Sequence, residues 1–256
     1  MDKKVKTKKG FGYRGLYIAL PIILLIIWEG ANLAGHLKPY TMPAPMTIVE
    51  TTIKYIQNGK LFTNIGVSFV RVIEGFLLAL VSAFIIGINV SIFPKFDTFT
   101  DLVIQVLRPI PPIAWIPLAI LWFGIGQGSK IFIIFLGAFF PIFLNTVEGV
   151  KGIDSRFFEL AEVYEIPKIK LIRKIIIPGA LPSIMTGIRL GLGNAWVCVV
   201  AAEMIGATSG VGFMLSDGRS LSRPDIVILG MLIVGIVGKI MDDILRYIRK
   251  KIITWN

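Results

Sequence analysis

Long apolar blocks separated by short clusters of charge run through the whole chain. Between Arg108 and Lys130 lie twenty-one residues without a charge, and Gly75 to Phe93 is another such run of nineteen. A helix needs about 20 apolar residues to cross the hydrocarbon layer of a bilayer, so each run is long enough to span. Inside lipid every backbone polar group must find a partner within the protein, which makes helices the default. The blocks predict spans near Leu16–Leu33, Ile65–Phe93, Leu102–Phe123, Ile131–Val147, Pro178–Ile205 and Ile226–Leu245. The pattern is that of an all-α membrane protein with about six transmembrane helices in a single transmembrane domain, residues 1–256.

The polar intervals add detail. The loop from Lys38 to Lys60 carries Pro39, Pro43 and Pro45, then a helix-like stretch Met46–Gln57, which reads as a surface helix on the outer side. The third span opens on Pro109, Pro111, Pro112 and Pro117. Proline removes a backbone donor and clashes with the preceding turn, so a kinked or interrupted entry is expected there. In the fifth span Gly187, Gly191 and Ala195 recur every four residues, a face that lets two helix backbones approach closely. Two readings stay open for it: contact with a second copy, or packing within the chain.

Composition supports the membrane assignment. Of 256 residues 55% are hydrophobic and only 17% charged, too few to cover a water-soluble surface. The net charge of +11 invites a nucleic-acid reading, but its placement argues for topology instead. With the N-terminus inside, nineteen Lys and Arg fall on inner segments, among them Lys3, Lys4, Lys6, Lys8 and Lys9. Six fall on outer ones: Lys38, Lys54, Lys60, Lys130, Arg219 and Arg223. The positive-inside rule then places both termini in the cytoplasm. The basic start followed by an apolar run also fits a signal peptide cleaved near Ala31, Ala34 or Gly35, a minority reading because the run extends to Trp28 and beyond. The single Cys198 and single His36 offer neither a disulfide nor a metal cluster, and no cofactor is expected on this chain.

The longest inner loop, 150–177, carries the most information. Asp154 is placed to cap a helix start. Phe157, Leu160, Ala161 and Tyr164 follow at spacings that share one helical face. Ile166 precedes Pro167, which disfavours helical angles at that point and suits the first turn of a new helix. A helix, a sharp break and a second helix bearing Lys168, Lys170, Arg173 and Lys174 are predicted.

This loop resembles one found in permeases of binding-protein-dependent ABC importers, whose pattern is Glu-Ala-Ala, three residues, Gly, nine residues, Ile-x-Leu-Pro. Here Glu159, Leu160 and Ala161 are followed by Glu165 at the glycine position, then Ile175, Ile177 and Pro178. The spacing matches throughout. Glu165 is the main departure, since glycine would allow a turn that glutamate favours less. Three further stretches resemble the nitrate, sulfonate, taurine and bicarbonate branch. They are Arg108 to Gly126, Ser68-Phe-Val-Arg71 with Gly75, and Ala202-Glu203-Met204 with the glycine-rich Gly206 to Gly212.

The resemblance implies a type I ABC importer permease-like bundle in the cell (plasma) membrane, paired as a homodimer and not itself an enzyme. Residues 150–177 would form the ATPase-coupling loop, with Phe157, Glu159, Ala161, Tyr164, Glu165 and Pro178 carrying the contact. ATP would sit on a separate ABC ATPase subunit, because this chain has no Gly-x-x-x-x-Gly-Lys-Ser/Thr phosphate loop. An extracytoplasmic substrate-binding protein would deliver a small solute.

Polar residues within spans are further candidates, since their burial in lipid is costly. Trp115, Asn145, Asn194 and Glu203 are read as candidates for a translocation path. Arg71 and Glu74, three apart, are expected to pair on one helix, and Arg189 to lie deep in the fifth span. Two rival classes remain at this point. A secondary transporter or channel would use buried acidic relays, for which only Glu74 and Glu203 qualify. A membrane enzyme would need a catalytic cluster, which the lone His and Cys do not form.

Overall fold

The computed structural model describes the backbone of residues 11–38 and 40–254, and the side chains of 19–38, 40–167 and 169–254. Eleven α-helices follow one another among these residues: α1 Phe11–Leu33, α2 Pro45–Gln57, α3 Lys60–Ile92, α4 Pro94–Leu107, α5 Ile116–Phe123, α6 Gln127–Lys151, α7 Ser155–Val163, α8 Lys168–Leu171, α9 Ile177–Glu203, α10 Val211–Ser220 and α11 Pro224–Ile252. The basic cluster Lys3–Lys9 lies outside the described residues.

Four helical segments are long and apolar enough to cross a membrane: α3, α6, residues 169–203, and α11. The fifth candidate is the pair α4 and Pro112–Phe123, bent by 88° at a short break. The proline-rich entry is therefore a full corner rather than a kink, because Pro109, Pro111 and Pro112 leave no run of donors to carry the helix on. The apolar stretch Ala19–Leu33 of α1 is shorter than the other candidates. The predicted surface helix is present as α2, with Pro45 in its first turn.

The core forms where α3, α6 and α9 lie against one another, with Val72, Ala79, Ala83, Ile134, Ala138, Ile142, Ala195 and Val199 fully buried or nearly so. Small residues set the spacing. A Cβ on Gly187 would stand 2.7 Å from Asn145 Cβ and 3.0 Å from the Pro141 carbonyl, and one on Gly191 would stand 2.7 Å from Ile142. The Gly187–Gly191–Ala195 face is thus used up inside the chain against α6, which removes the second-copy reading of that face.

The segment after the loop also differs from expectation. Helix does not restart at Pro178 but runs from Lys168 through a π-helical turn, Ile172–Ile176, into α9. Within that turn the Ile177 N–H reaches back to the Ile172 carbonyl. Pro178 cannot donate and its ring crowds the carbonyl four residues earlier, so one widened turn lets the helix pass the proline unbroken.

Candidate functional site

Two arrangements, at opposite ends of α6, carry the chemistry. The first is the loop helix α7. Asp154 caps it, accepting from the Arg156 N–H at 3.0 Å, and its carboxylate also forms an ion pair with the Arg156 guanidinium at 2.6 Å. The guanidinium hydrogen bonds, and after them the one from the N–H, hold the exposed Asp154 carboxyl below its ordinary range. At the other end the Ile166 N–H donates to the Ala161 carbonyl at 2.8 Å and the Glu165 N–H to the Glu162 carbonyl at 3.0 Å. This crossed pair is the Schellman ending, which requires a left-handed residue between the two helices. Glu165 supplies it at φ 49°. The turn expected of glycine therefore forms with glutamate, at a conformational cost.

α7 does not present all of its apolar residues together. Phe157, Leu160, Val163 and Tyr164 are 51%, 53%, 78% and 73% exposed. Ala161, expected on the same face, is buried at 4% exposure, and Phe158 packs on the cluster of Val150, Ile176, Ala180 and Ile184. A 100° step per residue turns Ala161 and Phe158 toward the bundle while Phe157, Leu160 and Tyr164 face away. Glu159 and Glu165 are exposed beside that open face, and Pro178 is half-buried at the π turn.

The second arrangement joins two stretches far apart in sequence. The Glu203 carboxylate, 1% exposed, accepts from Arg71 Nη1 at 2.6 Å, from Ser68 Oγ at 2.7 Å and from the Gly212 N–H at 2.9 Å. Arg71 also donates to the Ser209 carbonyl at 2.8 Å and to Gln127 Oε1 at 2.7 Å. Three N–H groups at the start of α10 are taken up by side chains: Gly210 by Asn64 Oδ1, Val211 by Ser68 Oγ, and Gly212 by Glu203. A helix N-terminus is a natural seat for an anion, and here the anion is the chain's own side chain. Gly210, at φ 119°, has no room for a Cβ, which would lie 2.3 Å from the Glu203 carboxylate.

This network corrects the expected pair. Arg71 turns to Glu203 across the bundle, while Glu74 is exposed. It also takes Glu203 out of the path candidates, because a carboxylate saturated by buried donors does not face a solute. Lys130, counted among outer cations, is 5% exposed beside the network and donates to the Gly126 carbonyl at 2.9 Å. Arg189 does not hang free: with its side chain 33% exposed, it forms a two-pronged pair with Asp242 of α11.

The remaining path candidates sit in different surroundings. Trp115 is half-buried, edge-on to Phe132 with ring centroids 6.4 Å apart. Asn145 donates to the Pro141 carbonyl at 2.8 Å. Asn194 is exposed on α9 between Leu190 and Val197, which are 52% and 58% exposed. Composition alone did not reveal Ser68, Gly212 or Asp242. The signal for the first two was present in the quoted stretches Ser68–Arg71 and Ala202–Gly212, which meet in space.

Comparison with known proteins agrees with this geometry. The family model "Binding-protein-dependent transport system inner membrane component" matches residues 75–254. A putative ABC transporter permease of Methanocaldococcus jannaschii is 42% identical over 94% of this chain and 92% of its own length. The putative aliphatic sulfonates transport permease SsuC of Bacillus subtilis is 39% identical over 99% and 92%. The taurine transport system permease TauC of Escherichia coli is 30% identical over 94% and 90%. Among solved structures, a chain of the inward-facing MetNI methionine ABC transporter shares the fold, with a TM-score of 0.57 at 18% identity over 75% of this chain and 96% of that one. The chain is a multi-pass membrane protein with the type I importer permease fold, a transport subunit rather than an enzyme, and it belongs to the inner-membrane permease family of binding-protein-dependent ABC importers, in the branch that includes the sulfonate, taurine and bicarbonate permeases.

Proposed function

We propose that this permease is half of the membrane pathway of an ATP-driven importer for a small sulfonate or similar oxyanion. Two copies enclose the path in the plasma membrane, with both termini and α7 in the cytoplasm. α7 docks in a groove of an ABC ATPase subunit that holds the ATP, and an extracytoplasmic binding protein delivers the solute. The observation that carries this reading is the open apolar face of α7. Phe157, Leu160 and Tyr164 stand more than half exposed on a loop, outside the helices long enough to meet lipid. An apolar patch of this kind marks a protein contact. Helix-in-groove docking would cover it and leave Glu159 and Glu165 at its rim for charged contacts. The names of the relatives SsuC, TauC and the bicarbonate permease CmpB support the solute class. Because α7 is tied to the bundle through Phe158 and α8, movement of the docked helix reaches α9 directly.

A cysteine at Tyr164 tests the docking. It should form a disulfide or bifunctional cross-link with the coexpressed cognate ATPase, and the cross-link should block uptake. A Tyr164→Cys permease that is labelled by membrane-impermeant reagents from outside the cell, or that never cross-links, would refute the docking and the orientation.

A further inference from the structure

A cavity of about 700 Å³ opens between α3, α4 and α6 at the end of the bundle where α3 and α6 finish. One wall is apolar, built from Val90, Phe143 and neighbours on α6. The other is the polar stripe of α4. Asp97, Asp101, Gln105 and Arg108 follow at intervals of four, four and three and so share one helical face. The opposite face, with Phe99, Leu102, Val103 and Val106, is 57–80% exposed. α4 is therefore amphipathic toward a cavity rather than toward a packed neighbour.

The charges along the stripe are not all used. Asp97 is paired with Lys151 of α6 at 2.7 Å. Gln105 donates to Asp101 at 2.7 Å, and among the described residues no cation pairs with that carboxylate. The guanidinium of Arg108 has no hydrogen-bond or ion partner among the described residues. Asp101 and Arg108 lie two turns apart, about 10 Å along the axis. Long side chains on a helix lean toward its N-terminus, a direction that would shorten that gap for Arg108. A guanidinium fork, an amide and a carboxylate held only by that amide, all three solvent-exposed, thus line an open cavity of ordinary small-molecule size.

We propose that this cavity binds a small zwitterion, with its oxyanion on Arg108 and its ammonium on Asp101. An aminosulfonate fits that description, and so does the phosphoethanolamine headgroup of a lipid. The solute form rests on the importer reading above and places a second, inner-side station on the solute's route. The guanidinium fork matches a tetrahedral oxyanion with two parallel N–H donors, which a lysine would not.

The test uses the full permease chain in nanodiscs, first of phosphatidylcholine and then with phosphatidylethanolamine added, with radiolabelled taurine as probe. Saturable taurine binding is expected, weakened at least tenfold in Arg108→Gln and in Asp101→Asn. Ethanesulfonate, which lacks the amine, should bind more weakly and respond only to Arg108→Gln. Taurine binding that survives added phosphatidylethanolamine assigns the site to the solute. Taurine binding lost on that addition, with the lipid retained by the wild type but not by Arg108→Gln in native mass spectrometry, assigns it to the headgroup. Wild-type protein that binds neither probe, or variants that bind as the wild type does, would overturn the site. ATP-dependent uptake by the wild-type complex is read separately, so loss of the site leaves the importer reading standing.

Discussion

Replacing Arg71 by methionine should destabilise the end of the bundle where α3 meets α10 unless Glu203 is changed with it. Arg71 is 5% exposed and Glu203 1%, and their contact at 2.6 Å is the charge-neutralising one of the network. In Arg71→Met the carboxylate keeps Ser68 and Gly212 as donors but loses its ion-pair partner, and Ser209 and Gln127 lose their donor. Breaking a buried pair from one side costs about 3–5 kcal/mol. Glu203→Gln alone strands the guanidinium and should cost about as much. In the double variant the amide oxygen that replaces the Glu203 carboxylate still accepts from Ser68 and the Gly212 N–H, both charges of the pair are gone, and Lys130 keeps the Gly126 carbonyl. The cost should then fall to about 1–3 kcal/mol, the scale of the part-buried Ser209 carbonyl left unpaired, because the exposed Gln127 can turn to water. Stability in detergent, read from thermal unfolding or loss of the monodisperse peak on heating, should therefore recover in the double variant relative to Arg71→Met. A double variant as destabilised as the sum of the single ones would refute the pairing, because independent sites add.

Three further outcomes are expected. Glu165→Gly relieves a left-handed glutamate and should stabilise the loop by up to about 1 kcal/mol, while the lost rim charge weakens ATPase docking modestly. Glu165→Val at the same φ should cost about 1–2 kcal/mol and slow uptake, both read from thermal shift and transport assays. Gly187→Val pushes methyl groups into Asn145 and the Pro141 carbonyl and should lower membrane abundance through misfolding. If it instead left the subunit stable and only dissociated the pair, the intrachain role of that face would be wrong. Phe157→Ala and Tyr164→Ala alter exposed residues and should change permease stability by no more than about 0.5 kcal/mol, yet reduce ATPase copurification and uptake severely.

Much of this architecture follows from local signals. Pro167, the Asp154 cap and the run 150–177 mark the helix–break–helix of the loop because capping and proline sterics act over a few residues. The prolines from Pro109 to Pro117 mark the broken third span for the same reason. What escaped notice depends on distant partners. Nothing near Arg71 distinguishes Glu74, three residues away, from Glu203, 132 residues away; only the packing of α3 on the end of α9 decides it. Ala161 has the right spacing to face outward with Phe157, but its direction depends on where the bundle lies beneath α7. The π turn at Ile172–Ile176 arises from Pro178 within a helix that tertiary packing keeps continuous, against proline's own tendency to end it.

The measurement that bears most directly on the central claim is uptake of labelled sulfonate into liposomes containing the permease and its ATPase, with the binding protein added outside. Accumulation should require ATP inside the liposomes and the binding protein outside, and should vanish with an ATPase that binds but does not hydrolyse ATP. Uptake that proceeds without the ATPase, driven by an ion gradient alone, would contradict the importer account.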